Sequence, residues 1–372
     1  MKIVHIITSL QTGGAEMMVA KLVASMDRTR FENVVVSLTV PGDVASQIEK
    51  SGVRVHSLAA RNFIQAVWKV VRVLRRERPD VVQSWLPHAD LVTTVACVLT
   101  GRRRFLWNIR NTRFDLSHYP RSVRWTLRLL PVLSPLPRAV ISNSEAGRRD
   151  HQSLGFRPRR WVLIPNGFSL DRFRPMPGER NDARDERGIP RQAMVAAMVA
   201  RYDPMKGYSI FLRAAAIVQR ALPDAHFLLA GRGVAENAEL RALAELLPGH
   251  VHFAGAVDDV ARLYAAADIA VNCSTYGEAF SNAIGEAMAC AVPCVVSDIG
   301  DSALIVADTG RIVAPNDVDG LAAAMIELLR MPAAARTALG AAARARIERD
   351  FSIDRITRSY ETLYEEVAAA NG

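Results

Sequence analysis

The sequence predicts an α/β fold built from two Rossmann-like parallel-sheet domains. Segments rich in Val and Ile alternate with helical segments along the chain, a pattern typical of repeated βαβ units. The series starts at "KIVHIITSL" and starts again at "AMVAAMVAR" (193–201). At 372 residues the chain also exceeds the size of a typical single core. We therefore expect two open sheets that face a cleft at the carboxyl ends of their strands.

The elements of the first half follow one another with short connections. "KIVHIITSL", "ENVVVSLT", "RVHSL" and "DVVQSWL" are apolar, β-branched runs that suit strands covered on both faces. Between them, "MMVAKLVASM", "DVASQIEKSG" and residues 62–78 have helical periodicity, and the second of these ends on glycine. This order predicts a parallel sheet.

The second half repeats the pattern. The predicted strands are 193–201, "AHFLLAG", "VHFAG", "DIAVNCS" and "PCVVSD". The predicted helices between them are "YSIFLRAAAIVQRAL", "AELRALAELL", "VARLYAAA" and the segment around 283–290. The alternation again indicates βαβ units and a second parallel sheet.

Composition places the domain boundaries. The stretch at 162–190 is rich in Pro, Gly and charge and is predicted to be an interdomain linker. The predicted domains are 1–167 and 168–350, followed by a terminal helix at 351–372. The apolar side chains of that helix have helical spacing: Ile353, Ile356, Tyr360, Leu363 and Tyr364.

Cysteine usage and hydropathy favour the cytoplasm. Four cysteines lie in apolar or small-residue surroundings without metal-site spacing: Cys97, Cys273, Cys290 and Cys294. No apolar run approaches the roughly 20 residues of a membrane span. The first residues do not resemble a secretory signal. We expect reduced, buried thiols.

The net charge of +9 is divided unevenly along the chain. Residues 1–167 carry 26 Lys and Arg against 11 Asp and Glu, whereas residues 168–372 carry 21 against 27. Nine arginines and one aspartate lie between 101 and 138, interspersed with aromatic residues. This mixture favours an anionic membrane surface as a partner, peripheral on its inner face. No nucleic-acid module pattern is present, and we expect no nucleic-acid partner.

Loops that follow the strands hold the candidate site residues. Gly13 and Gly14 follow the first strand and permit close approach of a ligand to a helix N-terminus. Arg201 and Lys206 lie five positions apart after the first strand of the second half. Two cations near a helix start suit a diphosphate.

Two glutamates surround the start of a helix rich in small residues. Glu278 precedes that helix, Ser281 or Asn282 is its predicted N-cap, and Glu286 lies about one turn inside. Carboxylates accept hydrogen bonds from vicinal hydroxyls. The pair therefore favours the binding of a sugar, although each glutamate alone is also consistent with a dipole or ion-pair role.

These motifs resemble a known family. "TGGAE", "WLPHADL", "SNSEAGRRDH", "VLIPNGFSLDRFRP", "VARYDPMKGYSIFLRAA", "GEAFSNAIGEAMACAVPCVVSDIG" and "YETLY" occur in the order found in retaining glycosyltransferases of GT-B fold, family 4 or group 1. The E-x7-E arrangement of Glu278 and Glu286 is the most specific motif. The family includes bacterial enzymes of surface polysaccharide assembly. The resemblance implies an acceptor-binding first domain, a nucleotide-sugar-binding second domain and a terminal helix that crosses back to the first.

The resemblance also implies roles for individual residues. The implied donor-binding set is Gly13, Gly14, Arg201, Lys206, Glu278, Phe280, Ser281, Asn282 and Glu286. Glu278 would hold hexose hydroxyls and Glu286 the ribose. Arg201 and Lys206 would neutralise the diphosphate, with amides of residues 280–282 from one side and the glycine pair from the other.

One segment departs from the family pattern. Many relatives have a histidine after the strand that corresponds to "FLWNI", where this chain has Arg110 or Asn111. These two residues are the predicted acceptor region. His88 in "WLPHAD" also follows a strand, and it completes a predicted catalytic set with Glu278, Arg201 and Lys206.

The predicted function is transfer of a hexose from a nucleotide diphosphate sugar, UDP before GDP, to a glycan or lipid-linked acceptor. No cofactor and no metal are expected, because fixed cations and amides suffice for the leaving group and the Asp317-x-Asp319 motif precedes a helix as a cap. A sugar-nucleotide epimerase and a non-catalytic nucleotide-sugar binder remain alternatives. The missing G-x-G-x-x-G disfavours a nicotinamide oxidoreductase.

Overall fold

A computed structural model describes residues 1–110, 112 and 121–370 of the chain. It divides into two compact units. Unit 1 comprises Met1–Gly167 together with the chain from Ile353 onward, and unit 2 comprises Phe168–Ser352. The sequence places its boundaries after residues 167 and 350, and the structure has them after Gly167 and Ser352.

Unit 1 contains a seven-stranded parallel sheet. Its strands are β1 (Lys2–Ile7), β2 (Glu32–Ser37), β3 (Arg54–Ser57), β4 (Val81–Trp85), β5 (Phe105–Ile109), β6 (Ala139–Ser142) and β7 (Trp161–Leu163). They lie in the order β3-β2-β1-β4-β5-β6-β7. The order reverses between β1 and β4, so the loops after these two strands are neighbours at the carboxyl edge.

Helices cover both faces of this sheet. They are α1 (Gly14–Ser25), α2 (Asp43–Lys50), α3 (Phe63–Glu77), α4 (Pro87–Leu99), α5 (Arg121–Leu133) and α6 (Glu145–Ser153). In β1, Ile3 and Ile7 pack with α1 and α2, whereas Val4 and Ile6 pack with α3, α4 and α5. Because both faces are buried, apolar residues occupy four of the six positions of the strand, all except Lys2 and His5.

Unit 2 contains a six-stranded parallel sheet. Its strands are β8 (Met194–Val199), β9 (Ala225–Ala230), β10 (Val251–Gly255), β11 (Ile269–Asn272), β12 (Cys294–Ser297) and β13 (Arg311–Val313), in the order β10-β9-β8-β11-β12-β13. Its helices are α7 (Arg180–Asp185), α8 (Tyr208–Ala221), α9 (Ala238–Ala244), α10 (Val260–Ala265), α11 (Asn282–Ala289), α12 (Ser302–Val306), α13 (Val318–Arg330) and α14 (Ala333–Asp350). The prediction of two Rossmann-like parallel-sheet domains is confirmed.

The predicted linker is largely part of unit 2. Phe168 and Phe173 are buried in the core of this unit. Arg184 of α7 is also buried, and its guanidinium binds the Asp268 carboxylate at 2.9 Å. The prolines and charges of this segment are typical of a linker. The buried aromatic rings and the ion pair instead fix the segment to the sheet.

The terminal helix α15 (Ile353–Ala369) packs in unit 1 against α1 and β4. Its Tyr360 and Tyr364 are fully buried. The Tyr360 hydroxyl accepts a hydrogen bond from Asn108 at 2.9 Å, and the Tyr364 hydroxyl donates one to Gln83 at 2.8 Å. The predicted crossing of this helix back to the first domain is confirmed.

The four cysteines are buried free thiols, as predicted. Burial raises the pKa of Cys97, Cys273 and Cys290 to about 12, so they stay protonated and unreactive at neutral pH. Among the described residues, no helix combines the length and the apolar character that crossing a membrane requires.

Candidate functional site

The candidate site of unit 2 lies where its strand order reverses. β8 and β11 are neighbours in the sheet, and their connections run toward opposite edges. The loops that follow them therefore meet at the carboxyl edge, which is the ligand-binding position of open α/β sheets. The first loop contains Arg201 and Lys206, and the second contains Glu278.

Backbone contacts hold these two loops together. The amide of Thr275 donates to the carbonyl of Met205 at 2.8 Å. Gly207 has a φ of +75°, and a Cβ there would lie 2.2 Å from the carbonyl oxygen of Cys273. Glycine is required at this position because the two backbones approach so closely. The Lys206 side chain is therefore fixed beside the second loop.

Lys206 and Glu278 form an ion pair at this point. The Lys206 Nζ lies 2.5 Å from Glu278 Oε2, and the two side chains are 17% and 12% exposed. The Ser274 hydroxyl donates to the same carboxylate oxygen at 3.0 Å. Ser274 is itself held by the Ser297 hydroxyl, which donates to its carbonyl. The structure thus brings together two of the predicted catalytic residues, 72 positions apart in sequence.

Arg201 occupies a different environment. Its side chain is 69% exposed, and its guanidinium lies 3.1 Å from the carboxylate of Asp203. Asp203 also accepts from the Met205 amide and so shapes the turn before Lys206. The two predicted cations have separate carboxylate partners in this structure, and neither ion pair was predicted from the sequence.

The start of α11 adjoins this loop. Ser281 is the N-cap residue, as predicted, but its side chain caps no amide of the helix. Its hydroxyl instead accepts a hydrogen bond from Asn272 at 3.0 Å. Asn282 is the first residue of the helix. The N-terminus of α11 therefore lacks a side-chain cap from its N-cap residue, an arrangement that suits an anion.

Phe280 lies in the core, and only its backbone is available for the predicted donor contact. Its ring is stacked on Phe168, with centroids 6.2 Å apart, and meets Phe351 edge-on at 5.6 Å. The buried ring anchors the loop to the core of unit 2 and so fixes its position relative to the sheet.

Glu286 is half-buried on α11. Burial is the main cause of the raised pKa values of Tyr264 and Cys290, and the negative charge of Glu286 is the second. The Tyr264 hydroxyl donates to the carbonyl of Ala283 at 3.0 Å in the same turn. The structure therefore places Glu286 beside α10, and its predicted role at a ribose stays a prediction.

The glycine pair of unit 1 follows β1. Gly13 is the N-cap of α1 in extended conformation. A Cβ there would lie 2.4 Å from Oε2 of Glu16, which shows that the carboxylate folds back onto the glycine. Ser9 donates to the other carboxylate oxygen at 3.5 Å, and burial raises the pKa of Glu16. Gly13 and Gly14 were predicted from the sequence, whereas this acid was not, although it lies in the same "GGAE" motif.

His88 follows β4 and lies in the first turn of α4. It is half-buried, burial lowers its pKa, and it makes no hydrogen bond to any described residue. Leu86 just before it has φ 76° and ψ 152°, a backbone conformation that is strained for a residue with a side chain. Such strain is often found at functional loops.

Arg110 is half-buried in unit 1. Its guanidinium donates to Asn166 at 2.6 Å and to the Tyr360 hydroxyl at 3.4 Å, and it lies 4.8 Å from the centre of the Trp85 ring. Burial lowers its pKa. These contacts leave the buried Nε without a hydrogen-bond partner among the described residues, and the acceptor role of Arg110 stays a prediction. Asn111, the other predicted acceptor residue, lies outside the described residues.

Asp317 has the capping role that the sequence predicts. Its carboxylate accepts from the amide of Gly320 at 2.8 Å at the start of α13. Asp319 lies in the first turn of the same helix, where a negative charge is favourable.

Two family profiles match the chain. Residues 12–172 match the family described as "Glycosyltransferase Family 4", and residues 193–331 match "Glycosyl transferases group 1". Together these matches cover most of the chain, one in each unit.

Curated relatives match about half of their own length. A phosphatidyl-myo-inositol mannosyltransferase of Mycolicibacterium smegmatis is 36% identical over 210 residues, which is 54% of this chain and 52% of the relative. The D-inositol 3-phosphate glycosyltransferase 2 of Catenulispora acidiphila is 32% identical over 241 residues, 61% of this chain and 56% of the relative. This chain thus spans about half the length of these relatives.

Solved structures share the fold over the whole chain. HepE from Anabaena, in complex with UDP, has a TM-score of 0.86 at 23% identity and covers 98% of this chain and 100% of its own. A glycosyltransferase from Rickettsia africae has a TM-score of 0.85 at 17% identity, over 100% of this chain and 99% of its own. At these identities the likeness concerns the fold. The family follows from the two profile matches: over residues 12–172 and 193–331, this chain belongs to the Family 4 and group 1 glycosyltransferases.

Proposed function

We propose that the chain transfers a hexose from a nucleotide diphosphate sugar to a glycan or lipid-linked acceptor, with retention of the anomeric configuration. Unit 2 binds the donor and unit 1 the acceptor. UDP is the first candidate nucleotide and GDP the second. The structures of Anabaena HepE with UDP and with UDP-glucose support this order, since that protein shares the fold.

The Lys206–Glu278 pair is the observation that carries the proposal. A carboxylate and an ammonium are held at the carboxyl edge of β8 and β11, next to the N-terminus of α11. A sugar diphosphate offers hydroxyls to the first and negative charge to the second. One cluster thus provides both kinds of contact that the donor requires.

Charge development explains the chemistry. Cleavage of the anomeric bond leaves negative charge on the nucleoside diphosphate, which Lys206, Arg201 and the amides at the start of α11 stabilise. Glu278 holds the hexose hydroxyls and keeps Lys206 in place before the donor arrives. The departing phosphate takes the proton of the acceptor, so no protein nucleophile and no metal enter the reaction.

The site of action in the cell follows from the acceptor. A lipid-linked acceptor places the enzyme in the cytoplasm, at the inner face of the membrane. Surface polysaccharide assembly is the process we propose.

Donor screening tests the proposal. The full chain is mixed with UDP, GDP and their hexose conjugates, and thermal stabilisation is followed by assays of nucleotide release without acceptor. We expect one sugar nucleotide to stabilise the protein and to be hydrolysed slowly. The rate of hydrolysis should be the same before and after chelation of metals. The first anomer of the released sugar that NMR detects should have the configuration of the donor. Formation of a new sugar nucleotide would indicate an epimerase, and stabilisation without turnover even with added acceptors a binding protein.

A variant and its control sharpen this test. Lys206→Ala removes the cation proposed for the diphosphate, whereas Arg213→Ala removes an exposed cation of α8 elsewhere in unit 2. We expect nucleotide stabilisation to fall only in the first variant. Equal stabilisation of both variants by the nucleotide would refute the assignment of the site.

A further inference from the structure

Exposed apolar side chains of unit 1 are concentrated on one helical layer. α3, α4 and α5 pack side by side on the same face of the seven-stranded sheet. Among the side chains of these helices that the structure describes, eight large apolar ones are exposed: Phe63, Ile64, Trp68, Val98, Leu99, Trp125, Leu129 and Val132. All of unit 2 is described, and it exposes four: Leu246, Tyr276, Leu304 and Ile312. A concentration of this kind indicates an interaction surface.

α5 has two apolar faces. Leu127 and Leu130 are buried against the core, which satisfies the packing of the helix. Trp125, Leu129 and Val132 lie on the opposite face at helical spacing, 62%, 46% and 76% exposed. A surface helix normally carries polar residues there. The outward apolar face is therefore not required by the fold.

Cations are interleaved with these apolar side chains. Arg124 and Arg128 of α5 are exposed, and the guanidinium of Arg128 lies 5.8 Å from the centre of the Trp125 ring. On α3, Arg72, Arg75 and Arg76 are exposed as well. The layer therefore combines hydrocarbon with fixed positive charge.

The acids of these three helices are withdrawn from the surface. They are Glu77, which is buried and bound by Lys2 and Arg54, and Asp90, which is buried and bound by Ser84. No exposed side chain of α3, α4 or α5, all of whose acids are described, thus carries a negative charge. This is the complement of an anionic surface.

We propose that the α3–α4–α5 layer binds an anionic lipid bilayer. Trp125, Leu129 and Val132 enter the boundary between headgroups and acyl chains, and the arginines of α3 and α5 contact lipid phosphates. Amphipathic helices with aromatic and basic residues bind bilayers in this manner. A second copy of the chain is a poorer occupant, because its matching face would bring like charges together.

The expected effects follow from the two components of the surface. Each arginine near an anionic bilayer contributes about a fivefold factor in the partition coefficient. Arg124→Gln with Arg128→Gln is therefore expected to weaken binding by roughly 25-fold. Replacing Trp125, Leu129 and Val132 together by serine removes the inserted side chains and is expected to abolish binding.

Vesicle flotation tests the proposal with the full chain. Vesicles of phosphatidylglycerol and phosphatidylcholine are compared with vesicles of phosphatidylcholine alone, at low and high salt. We expect the protein to float with the anionic vesicles and to be released by salt. The controls come from unit 2: Leu246→Ser with Leu304→Ser for exposed apolar residues, and Arg213→Gln with Arg220→Gln for exposed arginines. Equal melting temperatures confirm that the variants are folded.

Two results would overturn the proposal. The first is recovery of the wild-type protein entirely in the soluble fraction at low salt, together with a dimer mass in light scattering. If the triple serine variant loses that dimer, the layer serves self-association instead. The second is flotation of the triple serine variant at the level of the unit 2 controls. The flotation assay contains neither donor nor acceptor, so its result does not depend on the proposed function. That function is tested separately, by donor hydrolysis in solution without vesicles.

Discussion

Replacement of Lys206 by alanine has consequences for both stability and catalysis. In the folded protein the lysine neutralises Glu278, and both side chains are mostly buried, 17% and 12% exposed. Without Lys206, the carboxylate stays within the site and loses the ammonium beside it, while the Ser274 hydroxyl still donates to it. Removing the cationic partner of a mostly buried carboxylate costs free energy, because burial has already taken away part of the solvation of the acid.

The magnitude follows from the degree of burial. Breaking a fully buried ion pair from one side costs about 3–5 kcal/mol, whereas exposed pairs contribute about 0.2–1 kcal/mol. Because both side chains keep some exposure, we expect a loss between these two ranges, about 2 kcal/mol. For a unit of this size, each kcal/mol corresponds to a fall of about 2–4 °C in Tm, so we expect Lys206→Ala to melt about 4–8 °C lower.

A double-mutant cycle isolates the pair. Urea unfolding of the wild type, Lys206→Ala, Glu278→Gln and the double variant gives the coupling free energy, which we expect to be about 1–2 kcal/mol. In activity assays, Lys206→Ala is expected to lower kcat by about 10²–10³-fold, as loss of a preorganised charge donor does in other enzymes.

Two measurements would refute this reasoning. Stability losses that add within about 0.5 kcal/mol would show that the ion pair does not persist in solution. A kcat reduced by less than about tenfold would show that the lysine is not a main stabiliser of the leaving group.

Three further variants address positioning, packing and pH. Ser274→Ala removes one hydrogen bond to Glu278 and is expected to raise the KM for the sugar nucleotide with little change in Tm. Ser274→Thr keeps the hydroxyl and should restore binding. An unchanged KM in the alanine variant would argue against a positioning role of Ser274. Gly285→Ala places a Cβ 2.1 Å from a core aromatic ring and is expected to cost about 1–3 kcal/mol in urea unfolding, whereas Gly178→Ala, with open space around it, should be neutral. Burial lowers the pKa of His226 from 6.5 to about 4, so the stabilising effect of the neutral side chain is full above pH 6.5 and is lost as pH falls toward 4. Over this range, the urea midpoint of His226→Gln should decline less than that of the wild type. Parallel declines of the two proteins would contradict the assignment.

The regular parts of the fold were accessible from sequence because they depend on local periodicity. Val- and Ile-rich runs separated by helical segments predicted both parallel sheets. The apolar positions of the terminal helix, from Ile353 to Tyr364, proved to be buried. Strands and helices in these sheets bury whole faces, so their pattern is written in consecutive residues.

The side-chain partners in the loops were not accessible in the same way. The sequence indicated Lys206 and Glu278 separately, but their contact depends on β8 lying next to β11. The fold-back of Glu16 onto Gly13 and the pairing of Arg201 with Asp203 are conformations of loops, which no periodicity encodes. For Phe280 the family resemblance implied a contact of its backbone amide, which stays a prediction, and the structure adds that its ring is buried in the core.

The segment at 162–190 shows how composition alone misleads. Its prolines, glycines and charges are typical of a linker. Phe168 and Phe173 nonetheless provide core volume, and Arg184 gains a buried partner in Asp268. A few buried side chains outweigh an otherwise polar composition, because each aromatic ring removes a large apolar area from water.

The return of α15 to unit 1 sets an order for biosynthesis. Strands β1 to β7 emerge from the ribosome first, yet Tyr360 and Tyr364 complete the hydrophobic layer beneath them only after all of unit 2 has been translated. At about 5–20 residues per second, the nascent first unit waits roughly 10–40 s for its last helix. Unit 2 is continuous and can close earlier. A premature stop codon before Ile353 therefore leaves the earlier-made half, rather than the later one, with an open core and prone to aggregation.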